Sequence, residues 1–337
     1  MIKRSYKFNH SVTNFLFDLP FSKINEFIDA KNIVIVTDDI VFKNYQKKFK
    51  SFKTIIIKSG EENKNQKSID LIIKQLINFR ADRNTILLGI GGGMITDLTG
   101  FVAAIYMRGL RFAFVPTTLL AMTDAAIGGK NGINAGIYKN IIGTTKQPEF
   151  IFYDFSFLKT LSSTEWQNGF AEIIKHACIR DEKMFHVLQS HSLKYYQKNK
   201  KELSHLIQQN VKIKVKIVQK DELEQNERKL LNFGHTIGHA IEKQNRLPHG
   251  HAITHGMVYA SKLSNKLTNF EKTDQIINLL KKYNLPTSTH FNSAQIIKNI
   301  SMDKKRNGDT INFILLDKIG KGIIYPINIS DLKKWID

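Results

Sequence analysis

Five of the chain's eleven histidines fall within the 21 residues 235–255: His235, His239, His249, His251 and His255. His235 and His239 are four apart, so a helix would set both on one face. Imidazoles at that spacing suit a divalent metal, and a zinc that does chemistry takes three protein ligands and keeps one position open. A third ligand must come from elsewhere as a carboxylate or histidine. Glu172 is the candidate, a lone charge in the apolar run Gly169-Phe170-Ala171-Glu172-Ile173-Ile174, where a buried carboxylate needs a partner. The plain alternatives are solvated histidines and an exposed helix glutamate.

A second set of residues suits anions. The stretch Leu87-Leu88-Gly89-Ile90-Gly91-Gly92-Gly93-Met94-Ile95-Thr96-Asp97 passes from an apolar run through three glycines into a helical pattern. Strand, glycine turn, helix is the arrangement that brings bare N–H groups to a phosphate. Its spacing is not G-x-G-x-x-G. Downstream come Arg108, Pro116-Thr117-Thr118, Asp124, Gly128-Gly129-Lys130, Asn134 and Lys139-Asn140. Glycines with lysine, arginine and hydroxyls suit an oxyanion, although G-x-x-x-x-G-K-[ST] is absent. A third set, Lys212, Lys214, Glu224, Arg228 and Asn232, leads into the histidines. Charges this mixed read as a solvated helix unless the histidines beside them form a site.

These residues need elements to hold them. Ile33 to Val36, Ile55 to Ile57, Ile86 to Ile90, Phe112 to Val115 and Phe150 to Tyr153 are short apolar runs of strand length. Ile69, Ile72, Ile73 and Leu76 fall at i, i+3, i+4 and i+7, an amphipathic helix between the second and third runs. Strands alternating with helices predict a parallel α/β domain over residues 1–160. Helical periodicity dominates 161–337, with a terminal ribbon expected from 311–316 and 323–327.

Composition narrows the classes. With 337 residues the chain can hold two domains. It has no run of 18 apolar residues, so no membrane span is expected. Lys3 and Arg4 precede no apolar run, so no secretory signal is expected. The single cysteine, Cys178, excludes an internal disulfide and fits a reducing, cytoplasmic setting. A formal net charge of +20 raises nucleic-acid binding as a reading. The lysines are spread along the chain, however, which favours a solvated surface whose field attracts a small anion.

At these motifs the sequence resembles the 3-dehydroquinate synthase family of sugar-phosphate cyclases. The carrying blocks are the Gly91 to Phe101 run, Arg108-Gly109 with Val115-Pro116-Thr117-Thr118-Leu119-Leu120-Ala121, Asp124 through Gly128-Gly129-Lys130 to Lys139-Asn140, Ala171-Glu172-Ile173-Ile174-Lys175, and Leu231-Asn232-Phe233-Gly234-His235 through His239-Ala240. His249-Gly250, Gly256-Met257 and Asp303-Lys304-Lys305 extend them over nearly the whole chain.

The resemblance implies an N-terminal Rossmann-like α/β domain, residues 1–160, holding NAD. It implies a mostly α-helical C-terminal domain, residues 161–337, holding zinc, or cobalt in its place. It implies a homodimer with no nucleic-acid or membrane partner. Its metal ligands would be Glu172, His235 and His249. NAD contacts would be Asp38, Glu61, Lys64, Gly92, Gly93, Asp97, Thr117, Thr118, Asp124, Lys139, Thr160 and Glu165. Substrate contacts would be Arg108, Lys130, Asn140, Lys175, Lys214, Arg228, Asn232, His239 and Lys304. Of these, Lys130, Lys175, Lys214, Arg228, Asn232 and His239 would be catalytic.

The implied activity is that of a carbon–oxygen lyase acting on a phosphate. It would turn a phosphorylated keto-sugar acid, 3-deoxy-D-arabino-heptulosonate 7-phosphate, into 3-dehydroquinate and phosphate in aromatic biosynthesis. The steps would be transient oxidation by NAD, phosphate elimination, reduction and intramolecular aldol closure. Another sugar-phosphate cyclase, a metal-dependent polyol dehydrogenase that releases NADH, and a basic nucleic-acid-binding protein are the rivals. The last leaves the Glu/His/His set unexplained. Three departures stand out. Thr96 replaces a usual glycine and should crowd the turn, Asn131 replaces threonine after Lys130, and His251 replaces a glutamate. The last, with His255, adds possible ligands.

Overall fold

The computed structural model describes all residues except 137, 246, 289–291, 302–305, 308, 333 and 335–337, with backbone alone at 301, 306 and 307. The chain forms two compact units: Met1–Ser162 with Ser204–Leu223, and Ser163–Leu203 with Glu224–Asp337. The expected second domain, 161–337, is therefore interrupted, because residues 204–223 pack into the first unit. Arg4 Nη2 donates to Gln208 Oε1 at 3.1 Å, and Ser204 Oγ donates to Asp18 Oδ2 at 2.8 Å. Helical periodicity shows that a helix has an apolar face but not which core receives it.

The first unit is built on a seven-stranded sheet. In chain order its strands and helices are β1 (Ile2–Lys7), β2 (Val12–Phe17), β3 (Ile33–Asp38), α1 (Asp39–Phe49), β4 (Lys53–Ile57), α2 (Gln66–Asn78), β5 (Ile86–Gly91), α3 (Gly93–Ile105) and β6 (Arg111–Pro116). A ribbon, β7 (Lys130–Ala135) with β8 (Tyr138–Thr145), and the strand β9 (Phe150–Tyr153) follow. The sheet order is β1-β2-β9-β6-β5-β3-β4. Only the β1–β2 pair is antiparallel; the other pairings run parallel. Every residue of β3 and β5 is buried, the mark of parallel strands covered on both faces.

The sheet order also locates a ligand crevice. From β3 the chain steps outward to β4, then returns to place β5 on β3's other side. Open α/β sheets bind ligands at such a reversal, beyond the carboxyl ends of the strands. Asp38 ends β3, Gly91 ends β5 and Pro116 ends β6. The residues predicted to meet NAD therefore begin where the topology reverses.

The second unit is mainly helical: α4 (Ser163–Arg180), α5 (Glu182–Ser190), α6 (Leu193–Lys198), the start of α7 (Lys200–Lys220), α8 (His235–Asn245), α9 (His249–Thr268), α10 (Thr273–Lys282) and α11 (Ser293–Ser301). A three-stranded sheet closes it, β10 (Arg306–Asn307), β11 (Thr310–Lys318) and β12 (Lys321–Asn328), with Ile311 opposite Ile327 and Leu315 opposite Ile323. The expected ribbon is its core, packed with Ile237, Ile241, Ile296 and Leu263. Among the described residues no helix is long and apolar enough to cross a membrane.

Candidate active site

In the first unit the glycine turn is packed closely against its own neighbours. Gly92 is the N-cap of α3, and Gly93 is its first residue. A Cβ on Gly91 would lie 2.6 Å from Ile95 Cβ, inside van der Waals contact. One on Gly92 would lie 3.1 Å from Thr118 Cγ2, and one on Gly93 3.1 Å from Ala125 Cβ. Thr117 N donates to Gly91 O at 2.9 Å, which joins the end of β6 to the turn. Thr96, expected to crowd it, turns its hydroxyl back onto Gly93 O at 2.9 Å and fits. Asp38 caps α1 by accepting from Val41 N at 2.8 Å, and burial raises its pKa.

Lys64 organises the neighbouring groups. Its side chain is only 6% exposed and is ion-paired with Asp97 in the first turns of α3. Lys64 Nζ also donates to Asn140 Oδ1 at 2.5 Å, and its carbonyl accepts from Asn134 N at 2.9 Å. Asn134 Nδ2 donates to Glu61 Oε1 at 2.9 Å, and Asn140 N to Asn134 Oδ1 at 2.9 Å. Asn140 holds a left-handed φ of 52°, a conformation asparagine tolerates better than most residues. Burial raises the Asp97 pKa, and Lys64 opposes that shift. Glu61, Lys64, Asp97 and Asn140 are thus one network, tying the β7–β8 ribbon to the head of α3.

Lys214 also acts on Asp97, and it is paired with another expected residue. Asp124 sits in a π-turn, Ala121–Ala125, where Lys214 Nζ donates to its carbonyl at 2.6 Å and its Oδ1 at 2.5 Å. Thr160 Oγ1 lies 3.0 Å from Tyr45 Oη. Lys130 opens β7 opposite Thr145, five residues along β8 from Asn140, or about 17 Å of strand. Lys139 is exposed beside Asn140. Arg108 stands beyond the far end of α3, whose 13 residues span about 20 Å from the glycine turn. Asn131 is buried and donates to Gly129 O at 2.7 Å and Lys146 O at 3.0 Å, so it braces the ribbon.

In the second unit three helices bring one cluster together. Glu172 on α4 is fully buried. Its Oε1 lies 3.6 Å from His235 Nε2 at the start of α8 and 3.4 Å from His249 Nε2 at the start of α9. That oxygen has no hydrogen-bond partner among the described residues. Its Oε2 is ion-paired with Lys175, which is 1% exposed. One ligand atom from each of Glu172, His235 and His249 lies within 4.8 Å of the others, a separation that one metal ion can bridge.

Backbone contact makes the cluster possible. Gly234 has a φ of +78°, and a Cβ on Gly256 would strike its carbonyl, so α8 and α9 meet main chain to main chain. Gly250 N donates to Asn168 Oδ1 at 2.9 Å, which caps α9 from α4 and seats His249 beside Glu172. Asn168 in turn donates to Glu165 Oε1 at 3.0 Å.

Electrostatics follow from this packing. Burial disfavours the charge on Glu172, yet Lys175, His235 and His249 outweigh it and hold the carboxyl well below the usual range. Burial also opposes the charged form of His249, but Glu172 and Glu242 raise it to about 9. A metal would have to displace that proton. Burial and His251 lower His255 to about 4.

The i,i+4 pair expected from spacing is not the pair that meets Glu172. His239 lies half-buried, its ring 5.1 Å from His235 and 6.0 Å from His249. His251 bonds Gln167 Oε1 at 2.9 Å, and neither it nor His255 belongs to a potential metal group among the described residues. Arg228 is buried, and Asn232 Nδ2 donates to Glu224 Oε1 at 2.5 Å. Glu165 is raised by burial. Lys304 and Lys305 lie outside the described residues.

Two supporting residues, Asn168 and Glu242, escape a reading of the sequence. Asn168 carries no local signal. Glu242 does: it follows His235 by seven and His239 by three, so it shares their helix face.

A parallel α/β unit with a strand–glycine turn–helix crevice, joined in one chain to a helical unit with a carboxylate–histidine cluster, defines a dinucleotide- and metal-type enzyme. Residues 54–168 match the model described as 3-dehydroquinate synthase N-terminal, and residues 169–306 the one described as 3-dehydroquinate synthase C-terminal. A curated 3-dehydroquinate synthase of Leptospira interrogans is 39% identical over 313 residues, 89% of this chain and 87% of that protein. The chain belongs to the 3-dehydroquinate synthase family. Among solved structures, 2-deoxy-scyllo-inosose synthase complexed with carbaglucose-6-phosphate, NAD+ and Co2+ superposes with TM-score 0.86 at 25% identity, covering 99% of both chains. The 2-epi-5-epi-valiolone synthase of Streptomyces hygroscopicus, with NAD+ and Zn2+ bound, superposes with TM-score 0.88 at 22% identity, covering 99% of this chain and 98% of that one.

Proposed function

We propose that this chain converts 3-deoxy-D-arabino-heptulosonate 7-phosphate to 3-dehydroquinate and phosphate, using NAD and a zinc ion. The observation that carries this reading is the Glu172–His235–His249 group, in which a buried carboxylate oxygen, without a hydrogen-bond partner among the described residues, faces two Nε2 atoms. Zinc fits that donor set, and cobalt accepts the same nitrogens and oxygen. NAD fits the strand–glycine turn–helix at the end of β5, where Gly92 caps α3 and the helix's first N–H groups suit a pyrophosphate.

When bound, NAD supplies hydride acceptance and return, and zinc supplies Lewis acidity at the substrate alcohol. The chain's own residues do the rest. Gly92, Gly93, Thr117 and Thr118 hold the dinucleotide, with Asp38, Glu61, Lys64, Asp97, Asp124, Lys139, Thr160 and Glu165 around it. By the resemblance Lys130, Asn140, Arg108 and Lys304 contact the substrate, but the roughly 17 Å of strand between Lys130 and Asn140 keeps those two from sharing one phosphate within a single chain. Lys175, Lys214, Arg228, Asn232 and His239 orient the carboxylate and hydroxyls. A homodimer in the cytoplasm belongs to the same reading.

Product identity tests the reading. Incubation with the heptulosonate phosphate, NAD and zinc should release one phosphate per substrate and give 3-dehydroquinate, followed by proton NMR. A different carbocycle would make the chain another sugar-phosphate cyclase. No phosphate would overturn the reading.

A further inference from the structure

We infer that Glu242 is a positioning residue for the metal centre: it accepts a hydrogen bond from His249 Nδ1 and so fixes the tautomer that offers Nε2 to the metal. This inference rests on the zinc reading above. His249 stands between two carboxylates carried by different helices. Its Nε2 faces Glu172 Oε1 at 3.4 Å, and its Nδ1 faces Glu242 Oε2 at 3.6 Å. Glu242 lies on α8 and is 9% exposed, so it has little access to water.

The other histidine of the group is arranged alike. His235 Nδ1 lies 3.1 Å from Phe233 O, an acceptor that requires the proton on Nδ1, and its Nε2 faces Glu172. Both imidazoles therefore turn Nε2 inward and hold Nδ1 outward against an oxygen, a carbonyl for His235 and a carboxylate for His249. A ligating imidazole needs its metal-facing nitrogen unprotonated, and an acceptor at the other nitrogen enforces that and makes the ring a better donor. The 3.6 Å separation closes to a hydrogen bond with a small rotation of either side chain. His239, Glu242 and His249 also form a potential metal group. A second ion that took His249 Nδ1 would displace it from Glu242, so that arrangement and this one exclude each other.

The test measures zinc affinity of the full-length protein by competition with a chromophoric chelator. Wild type should bind one zinc per chain. Glu242→Ala should bind it about 10–100-fold more weakly, the usual effect of losing an outer partner of a ligating histidine. Glu242→Gln keeps an acceptor oxygen and should stay within about tenfold of wild type, a rescue that a purely structural role would not give. In zinc-loaded wild type, imidazole ¹⁵N shifts should place the His249 proton on Nδ1, a measurement independent of how the variants fold. Unchanged affinity in Glu242→Ala, equal weakening in both variants, or a proton on Nε2 overturns the inference. So does a second zinc in wild type that Glu242→Ala removes. If wild type bound no zinc at all, the zinc reading itself would fail, a different outcome from any of these.

Discussion

Glu172→Gln is expected to lose zinc and with it turnover. Glutamine keeps the side chain's size but removes the anion that holds Lys175, His235 and His249 together. Zinc affinity should fall by more than about 100-fold, beyond what outer partners of a ligand contribute. His235→Ala should lose zinc similarly. The two differ in a second respect. Lys175 is buried beside Glu172, so Glu172→Gln leaves a cation without its counter-charge and should also destabilise the metal-free protein. His235→Ala leaves that ion pair intact. Metal content by mass spectrometry of the native protein, with urea unfolding of the metal-free forms, reads both effects. Full zinc in Glu172→Gln would contradict the ligand assignment. Equal stability of the two metal-free variants would contradict the role given to Lys175.

The second large effect is expected at Lys64. Lys64→Met leaves Asp97 in the head of α3 without its cation. Removing one partner of a buried pair costs about 3–5 kcal/mol, and the lower end applies because the Asp97 side chain keeps 17% exposure. The cost should depend on pH. Burial already raises the Asp97 pKa, and loss of Lys64 raises it further. A carboxyl raised in the folded state favours folding below its unfolded pKa and loses that contribution as pH rises through the folded value. The deficit of Lys64→Met relative to wild type should therefore grow as pH rises above the ordinary aspartate range, read from urea unfolding. A deficit independent of pH would mean that Asp97 is not the group left unpaired. The Asn140 contact to Lys64 goes too, so the β7–β8 ribbon should lose protection from hydrogen exchange.

How much of this was legible depends on the range of each interaction. Strands β3, β5, β6 and β9 appear in the sequence because they are buried almost throughout and read as apolar runs, and β4, at one edge of the sheet, shows through its apolar triplet 55–57. The edge strand β1 does not: Ile2 to Lys7 is mostly polar and exposed. Its partner β2 hides because Thr13 and Asn14 interrupt its apolar residues. The β7–β8 ribbon carries Gly128-Gly129-Lys130 and Lys139-Asn140, which read as anion-binding loops, so its strand pairing was missed.

The candidate site shows the same division. Glycines before a helix and clustered histidines are local signals. The Lys64–Asp97 pair joins residues 33 apart, and Asn168 meets Gly250 across 82 residues. Only tertiary packing brings such pairs together. The choice of His249 over His239 as Glu172's second histidine rests on the same long-range packing. The resemblance implies His249, whereas helical spacing favours His239.

The central claim is that one active site oxidises its substrate and then returns the same hydride. The most direct measurement supplies NAD at about one-tenth the substrate concentration, with zinc-loaded protein, and follows phosphate and 340 nm absorbance together. In this account all the substrate yields phosphate, about ten turnovers per NAD, and NADH appears only as a transient no larger than the enzyme concentration. Phosphate release that stops at the amount of NAD, with NADH accumulating in step, would contradict it and make the chain a dehydrogenase.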